Sequence, residues 1–225
     1  MERLHPVALD LFDRKSITDA FNGSLSQAGY FDVLINNAGG GHFGPAENLS
    51  DEEIEKQFQV LVFGHLQLMR LAQRAMRAHG EGLIVNVTSL ASRLPVPFMA
   101  AYNAAKAAMA AFTMSIQLEL SDAKIRIVDL QPADICTAFN DAVVRTSDTR
   151  YEPMVAKTWT AVDKNMKEAP PPELVARHIC QLIDSRNPPP RRTVGGVFQT
   201  NIAPLIFRFL PQRARIWGLK MYYGI

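Results

Sequence analysis

The sequence has few cysteines and no long hydrophobic run. Its 225 residues include two cysteines, Cys136 and Cys180, too few for a disulfide framework, and we expect both to be buried thiols in a reducing compartment. No run reaches the roughly 18 apolar residues of a membrane-spanning helix. Residues 1–5 include an acid and lack the apolar core of a secretory signal. We therefore expect a cytoplasmic protein.

An excess of charge of either sign is also missing. Lysine and arginine number 24 and aspartate and glutamate 22, a net charge of +2, which gives no reason to expect a nucleic acid as partner. His42, His65 and His178 do not stand at metal-ligand spacing from the cysteines, so no metal site is expected. Hydrophobic residues make up 48% and charged residues 20%, typical of a globular chain, and the length fits one domain over residues 1–225.

Short apolar runs alternate along the chain with stretches of helical periodicity. This alternation predicts an α/β fold with a parallel sheet, and the run at 83–87 is typical of a strand buried on both faces. The predicted strands are 5–11, 32–35, 83–87, 125–130 and 194–197. Four helices are predicted. The first is capped by Ser16 and ends before Gly29, and the second begins at the capping box of Ser50 and Glu53 and ends near Ala78. The other two span 100–120 and 173–183. Residues 133–172 show only a weak pattern, and 187–192 predict a loop.

A tyrosine and a lysine in the predicted helix 100–120 carry the clearest chemical signal. Tyr102 and Lys106 stand four residues apart, so their side chains lie on one face, about one turn apart. An ammonium group beside a phenol favours the phenolate, so we expect Lys106 to lower the pKa of Tyr102 towards neutrality. Ser89 follows the strand 83–87, at the strand end where parallel sheets bind ligands. Its hydroxyl would hold a carbonyl oxygen beside the tyrosine that exchanges the proton.

A Tyr–Lys pair at this spacing is common on helix surfaces. A functional site is favoured only because other motifs occur together with the pair. Four other motifs occur with it in chain order: Asp10-Leu11, Asn36-Asn37-Ala38-Gly39, Ser89 within IVNVTSLAS, and Pro132-Ala133-Asp134-Ile135-Cys136-Thr137. With Tyr102-Asn103-Ala104-Ala105-Lys106 they cover about residues 8–137. In these motifs the sequence resembles the short-chain dehydrogenase/reductase family. The resemblance implies a Rossmann-like, doubly wound parallel sheet.

The resemblance implies a role for each matching residue. Tyr102 would be the acid/base, Lys106 would lower its pKa and bond the nicotinamide ribose, and Ser89 would orient the substrate carbonyl. The cofactor would be NAD or NADP, between which the sequence does not decide, and the reaction a hydride transfer between it and an alcohol/carbonyl pair. The implied cofactor contacts are Asp10 and Leu11 at the adenine, Asn37 near the adenosine ribose with Ala38 and Gly39 beside it, Tyr102 and Lys106, and Pro132, Ile135 and Thr137 at the nicotinamide end.

The family's glycine-rich turn has no counterpart here. In the family that turn follows the first strand, and its backbone N–H groups bind the pyrophosphate at a helix N-terminus. Residues 39–41 follow a later strand, and no helix opens before Ser50. We therefore expect an N-terminally truncated sheet that lacks the family's first two strands and leaves 32–35 as an apolar edge. Three explanations are open: Met1 is internal to a longer enzyme, which we favour; the short chain pairs its edge with another subunit; or a relative retains the motifs without the cofactor.

Two single residues also depart from the family. Leu61 stands where the family has an asparagine that kinks the helix and helps hold a water in a proton relay, so we expect slower or differently routed proton transfer. A leucine that faces the core of an apolar helix is the simpler interpretation of this residue. Ala133 replaces the usual glycine, a mild change if φ there is negative.

The end of the chain is basic and amphipathic. Residues 186–225 contain no acid, and their basic residues are Arg186, Arg191, Arg192, Arg208, Arg213, Arg215 and Lys220. Such an extension fits peripheral contact with an anionic membrane surface, a wall on the substrate side, or a subunit contact. The alanine-rich helix that carries Tyr102 permits close helix packing, and the resemblance implies a homo-oligomer.

The motifs together favour an NAD(P)-dependent oxidoreductase that interconverts an alcohol and a carbonyl. The apolar stretch 94–99 (LPVPFM) favours a hydrophobic small-molecule substrate. One alternative is a truncated, catalytically impaired family member that acts as an interaction subunit. Another is a non-redox lyase or dehydratase that uses Tyr102 and Lys106 alone. His42 is either a substrate contact or, more commonly for a residue after a glycine run, a solvated loop histidine.

Overall fold

The computed structural model describes residues 4–120, 124–146 and 148–225. Its main sheet contains four strands, all parallel, in the order β1–β3–β4–β6. These are β1 (Val33–Asn36), β3 (Gly82–Val87), β4 (Ile125–Pro132) and β6 (Arg191–Val194). A separate parallel pair joins β2 (His42–Phe43) to β5 (Val144–Arg145). The parallel α/β architecture predicted from the alternating pattern is confirmed.

Helices cover the sheet and extend beyond it. They are α1 (Arg14–Ala28), α2 (Asp51–Phe58), α3 (His65–His79), α4 (Ala100–Glu119), α5 (Glu152–Glu168), α6 (Glu173–Asp184), α7 (Ala203–Phe209) and α8 (Gln212–Tyr223). A π-helical turn at Gln59–Gly64 joins α2 to α3, so the predicted helix that ends near Ala78 is present in three consecutive pieces. Residues Phe198–Ile202 form a second π-helical turn before α7.

The core lies on both faces of β3. Ile84 packs on one face against methionines of α3 and α4, among them Met69 and Met109. Leu83 and Val85 pack on the other face with Leu182 of α6. Alternate residues of one strand are thus buried on opposite sides, which confirms the prediction made from the continuous apolar run at 83–87.

Two helix starts test the capping predictions. At α2 the Ser50 hydroxyl accepts from the Glu53 N–H, and the Glu53 carboxylate accepts from the Ser50 N–H, so the predicted capping box is present. At α1 the predicted cap is wrong, because the capping residue is Asp13, whose carboxylate accepts from the Lys15 N–H. Ser16 lies inside that helix, and its hydroxyl accepts from the Asp10 N–H. The helix ends before Gly29, which has φ of +82°, as predicted.

The predicted strand over residues 5–11 is wrong. Residues 4–10 have no regular secondary structure, and residues 11–12 form a turn. An apolar run becomes a strand only where a neighbour supplies hydrogen bonds, and among the described residues β1 pairs with β3 alone. Leu11 is buried beside Gly64 instead, where tertiary packing holds the segment. The strand predicted at 32–35 does form an edge within the described part of the sheet.

The last strand lies earlier than predicted. The pattern placed a loop at 187–192 and a strand at 194–197, whereas β6 spans Arg191–Val194. The Arg191 guanidinium donates to the buried carboxylate of Asp129 at 2.9 Å, and this pair stands opposite in the β4–β6 register. The ion pair between Arg191 and Asp129 therefore sets the register of β6 against β4. The polar residues of 187–192 predict a loop, so the local pattern hid this strand. Residues 191–194, within the predicted C-terminal extension 186–225, thus belong to the main sheet.

Helix α5 lies within the stretch that the sequence left as a weak pattern. Only Val155 and Thr158 of its 17 residues are buried, so the apolar stripe that predicts an amphipathic helix is thin. Pro153 near its start was an available signal, because proline is favoured in the first turn of a helix.

Both cysteines differ from expectation. Cys136 and Cys180 are exposed free thiols, not buried ones. Cys136 lies in the loop after β4, and Cys180 lies on a helix whose inner face is occupied by Leu182 and its neighbours. Within the described ranges, no helix is long and apolar enough to cross a membrane.

Candidate active site

A large cavity opens at the carboxyl ends of β1, β3 and β4. Its volume is about 720 Å³, within the range of pockets that bury small organic ligands. The three implied catalytic residues, Ser89, Tyr102 and Lys106, line it together. Parallel sheets bind ligands at this edge because loops and helix ends converge there. The sheet therefore places residues from distant parts of the sequence around one volume.

Ser89 is held at the cavity by the end of β3. The chain leaves the strand at Thr88, and Ser89 caps a short 3₁₀ turn by accepting a hydrogen bond from the Ala91 N–H at 3.1 Å. The same hydroxyl interacts with the phenol of Tyr102. The serine side chain is thus fixed by local backbone geometry and points toward the tyrosine.

Lys106 lies one helical turn beyond Tyr102 and is buried, with 5% of its surface exposed. Its amine donates to the Val87 carbonyl at 2.8 Å and stands 5.8 Å from the centre of the Tyr102 ring. Burial disfavours the ammonium form and lowers the pKa of Lys106 to about 8. The charge of Asp129 opposes this shift.

The expected lowering of the Tyr102 pKa is wrong for this structure. Burial raises the pKa of Tyr102, the Ser89 hydrogen bond lowers it, and the negative charge of Asp134 raises it further. Desolvation dominates because the phenol lies in a largely apolar cavity, and Lys106 is directed to the Val87 carbonyl. The phenol is therefore held in its protonated form at neutral pH.

The segment after β4 forms a second wall of the cavity. Pro132, Ile135 and Thr137, which the family resemblance placed at the nicotinamide end, all line the cavity. The Thr137 hydroxyl also accepts from the Phe139 N–H at 3.3 Å, which begins a 3₁₀ turn. Asp134 lies in the same segment, and burial raises the pKa of its carboxyl group.

The loop after β1 reaches the cavity through Asn37 and Gly39, while Ala38 is not among the lining residues. A Cβ atom on Gly39 would stand 2.9 Å from Leu61 Cδ2 and 3.9 Å from the Lys106 amine. Leu61 is fully buried in the π-helical turn, where it packs with Val62 and Ala105. Leu61 is thus a leucine that faces the core, as the simpler interpretation of this residue predicts.

Asp10 and Leu11, implied as adenine contacts, do not reach this cavity. The Asp10 carboxylate accepts from the Phe12 N–H at 2.9 Å in a local turn. The Leu11 carbonyl accepts from the Gln59 side chain at 2.9 Å, which ties the segment to the start of the π-helical turn. The structure therefore brings together the residues implied at the nicotinamide end and leaves these two apart.

His42 is not a solvated loop residue, and a contact with substrate stays a prediction. It lies buried in β2, where its ring makes a 3.1 Å hydrogen bond with the Thr146 hydroxyl. It does not line the cavity. A short strand pair, which no local pattern predicted, accounts for its burial.

Asn103 is a positioning residue that the motif contained but the sequence reasoning did not use. Its side chain donates to the Val96 carbonyl at 2.8 Å and accepts from the Val96 N–H at 3.3 Å. It thereby clamps the apolar stretch 94–99, of which Leu94, Val96 and Met99 line the cavity. Phe98 in that stretch has φ of +62°, a strained value for a bulky residue that indicates a tightly fixed loop.

The C-terminal helices form a third wall of the cavity. A wall on the substrate side is one of the three roles that the sequence allows for the C-terminal extension. Ala214, Gly218 and Tyr222 of α8 line the cavity, as does Phe207 of α7. The Tyr222 hydroxyl accepts from the Asn165 amide of α5 at 2.9 Å. A network of side-chain hydrogen bonds therefore fixes α8 over the site, with Gln199 donating both to Tyr222 at 3.2 Å and to Asp134 at 2.6 Å.

The comparisons with known proteins agree with this geometry. The family model described as short chain dehydrogenase matches residues 1–148, well over half of the chain. The chain belongs to the short-chain dehydrogenase family. The family resemblance inferred from the motifs is confirmed, and the protein is an oxidoreductase of this type by descent.

Two curated relatives of this short-chain dehydrogenase illustrate the range of the family. A 3-ketodihydrosphingosine reductase of Bacteroides thetaiotaomicron is 26% identical over 227 residues, covering 99% of this chain and 84% of the relative. The uncharacterized oxidoreductase YusZ of Bacillus subtilis is 30% identical over 187 residues, covering 80% of this chain and 66% of the relative.

Solved structures give the same family fold. A short-chain dehydrogenase from Streptomyces avermitilis has a TM-score of 0.79 at 24% identity, covering 98% of this chain and 77% of that one. A 3-ketoacyl-(acyl-carrier-protein) reductase from Brucella melitensis, complexed with NADH, has a TM-score of 0.65 at 26% identity and covers 80% of this chain and 71% of that one. The Rossmann-like parallel sheet predicted from the motifs is confirmed.

Proposed function

We propose that this protein interconverts an alcohol and a carbonyl with NAD or NADP as cofactor, on a long, hydrophobic substrate. The observation that carries the proposal is the placement of the Tyr102 and Ser89 hydroxyl groups on one wall of a cavity whose other walls are largely apolar. The relatives named for 3-ketodihydrosphingosine and 3-ketoacyl reduction act on chains of this kind.

The residues present suit the nicotinamide end of the cofactor. Lys106 has an amine with three N–H donors, of which the Val87 carbonyl takes one, so two are left for ribose hydroxyls. The absence of a side chain at Gly39 lets the loop after β1 pass close to Leu61 and Lys106, where a Cβ atom would collide with Leu61. Thr137 and the backbone after β4 would hold the carboxamide side. When bound, the cofactor would supply or accept the hydride.

The pyrophosphate end shows no comparable fit. Among the described residues, the glycines at 39–41 lead into β2, and no glycine-rich turn opens a helix directly after a strand of the main sheet. We therefore assign no residue to the pyrophosphate, and Asp10 and Leu11 stay a prediction at the adenine.

The proton step follows from the state of Tyr102. Ser89 would hold the substrate oxygen beside the phenol, and the protonated phenol would donate to that oxygen as it gains negative charge. In the reverse direction the phenolate would accept the alcohol proton. Lys106 would stabilise that phenolate by its positive charge once Tyr102 has lost its proton.

Replacing the tyrosine tests the proposal. Tyr102→Phe retains the ring but removes the proton donor, so we expect a loss of about 10²–10⁴-fold in turnover. The assay follows nicotinamide absorbance with NADH and NADPH against 3-ketodihydrosphingosine, a 3-ketoacyl thioester and acetoin. Tyr30→Phe is the matched control, because Tyr30 stacks on His79 at the protein surface.

Two results would contradict the proposal. Full turnover by Tyr102→Phe would remove this residue from the chemistry. Calorimetry that detects no binding of either cofactor at millimolar concentration would favour the interaction-subunit alternative.

A further inference from the structure

Exposed apolar side chains are concentrated at the C-terminal end of the chain. Of the 23 large hydrophobic residues exposed in the described ranges, ten lie within residues 197–225. Phe209 is 76% exposed, Trp217 66% and Met221 63%. Exposed aromatic and aliphatic groups at this density mark an interaction surface.

Helix α8 has an inner face on the cavity and an outer face that is exposed. Ala214, Gly218 and Tyr222, spaced by four, line the cavity. Residues 213, 216, 217, 220 and 221, spaced as i, i+3, i+4, i+7 and i+8, lie on the outer side and are all exposed. That outer face contains Arg213, Ile216, Trp217, Lys220 and Met221. An aromatic residue among aliphatic ones with cations at the flanks is typical of helices that lie in a membrane interface.

The charge of this region has one sign. No acid occurs after Asp184. Arg215 of α8 is used internally, because its guanidinium donates to the carbonyl groups of Leu210 and Arg208. Arg213 and Lys220 lie exposed beside Trp217, where cations can reach anionic groups outside the protein.

We propose that the outer faces of α7 and α8 dock on an anionic lipid bilayer surface, with Phe209, Trp217 and Met221 inserted at the interface and Arg213 and Lys220 on lipid phosphates. Charge complementarity selects this occupant. A second copy of the chain would bring the same cations against each other across a two-fold axis, since the region holds no acid.

Docking in this orientation places the cavity next to the bilayer. The opposite face of α8 is a cavity wall, so one helix thickness, about 10 Å, separates lipid from the site. A long-chain carbonyl substrate could then pass from the membrane to Tyr102 with little exposure to water. This second step rests on the proposed function, whereas docking does not.

Vesicle binding tests the docking without cofactor or substrate. The protein is sedimented with vesicles of phosphatidylcholine alone and of phosphatidylcholine with phosphatidylglycerol, at low and high salt. We expect binding to the anionic vesicles that weakens as salt rises, and blue-shifted emission of Trp217 in a Trp159→Phe background. Trp159 is the other tryptophan of the chain.

A matched pair of charge reversals identifies the surface. Arg213→Glu with Lys220→Glu should weaken vesicle binding by at least about tenfold. Arg70→Glu with Arg77→Glu is the control, because these residues of α3 are also exposed and also seven apart. It should bind as the unchanged protein does. Circular dichroism and thermal unfolding verify that both variants are folded.

The outcomes separate the docking from its rivals and from the proposed function. Equal losses in the two double variants, or no binding to anionic vesicles, would overturn the docking. Sedimentation equilibrium showing a dimer that Trp217→Ala dissociates would also overturn it, because a second copy would then cover the surface. Vesicle binding by a Tyr102→Phe variant that has lost turnover would support docking independently of the reaction.

Discussion

At the scale of single residues, the candidate site is governed by burial more than by pairing. Tyr102 and Lys106 lie one turn apart, yet the pKa of each moves in the direction that burial dictates, up for the phenol and down to about 8 for the amine. Burial thus shifts each group toward its neutral form, so at pH 7 the phenol is protonated while the Lys106 amine, with a pKa of about 8, still carries its charge. The protonated phenol is the form that donates a proton to a carbonyl oxygen.

The raised pKa of Tyr102 predicts an asymmetric pH profile. Reduction of a carbonyl uses the protonated phenol, which predominates below its pKa, so its rate should be level around neutral pH. Oxidation of an alcohol uses the phenolate and should rise with pH between about 7 and 10. Initial rates in both directions across that range provide the measurement. Oxidation that is fastest below neutral pH would contradict this assignment.

Lys106→Met should stabilise the fold at pH 7 while impairing catalysis. The native pKa of Lys106, about 8, lies below the ordinary lysine pKa of 10.5, so the unfolded state binds more protons between these values. The wild-type protein therefore gains stability as pH rises through that window and carries the full penalty below it. We expect the variant to be more stable by about 1–2 kcal/mol at pH 7, after the loss of the hydrogen bond to Val87. Urea unfolding of both proteins measures this difference.

The difference should shrink as pH rises from about 8 to about 10.5. Lys157→Met, on the exposed side of α5, is the control and should change stability by less than about 0.5 kcal/mol. A Lys106→Met protein that is less stable than wild type at pH 7 would show that interactions in the native state offset the cost of burying the ammonium group.

At the scale of elements, two helices illustrate how packing decides the effect of one substitution. Gly64 ends the π-helical turn at the point where the segment around Leu11 crosses it. Gly218 lies within α8 and has no atom within 4 Å of the position of a Cβ. Both glycines stand in helical backbone, so conformational propensity alone would predict the same response at both.

Gly64→Ala and Gly218→Ala should have effects of opposite sign. A Cβ at residue 64 would lie 3.0 Å from the Leu11 carbonyl oxygen, a backbone atom that cannot rotate away, so we expect a loss of about 1–3 kcal/mol. At residue 218 the alanine adds helix propensity, with an expected gain of about 0.5–1 kcal/mol. Chemical denaturation of the two variants measures both values. Equal effects would show that contact with the segment around Leu11 does not hold that part of the fold.

At the scale of the whole molecule, two of the regions that carry exposed apolar groups are candidate contact surfaces. One is the C-terminal surface formed by the outer faces of α7 and α8. The other lies on the π-helical turn and α4, where Phe63 is 48% and Phe112 45% exposed. The homo-oligomer implied by the family resemblance stays a prediction, and this second region is where we expect it to form.

Phe63→Glu combined with Phe112→Glu should convert an oligomer into a monomer. Charged groups at two-fold-related positions repel each other and resist desolvation when the subunits meet. Sedimentation velocity gives the mass of each species. Phe209→Glu on the C-terminal surface is the control and should leave the mass unchanged. If Phe209→Glu dissociates the oligomer and the double variant does not, the subunits meet at the C-terminal surface.

The sequence by itself determined the parallel α/β fold and which candidate site residues lie near Tyr102. Ser89, Tyr102, Lys106 and Pro132 could be placed because each stands at a strand end or on a helix whose local pattern is strong. The topology of a parallel sheet then brings strand ends to one edge. Local signals were sufficient here because the required geometry is built within a few residues of each motif.

Only the tertiary structure decided the strand pairing, the electrostatics and the third wall of the cavity. Residues 5–11 show a strand pattern but have no partner among the described strands, and β6 starts at Arg191 because the distant Asp129 binds it. The pKa of Tyr102 depends on burial by segments far from it in sequence, among them the one that carries Phe139, whose ring centre lies 5.7 Å from that of Tyr102. Pairing and desolvation are sums over residues from the whole chain, so no local window of the sequence contains them.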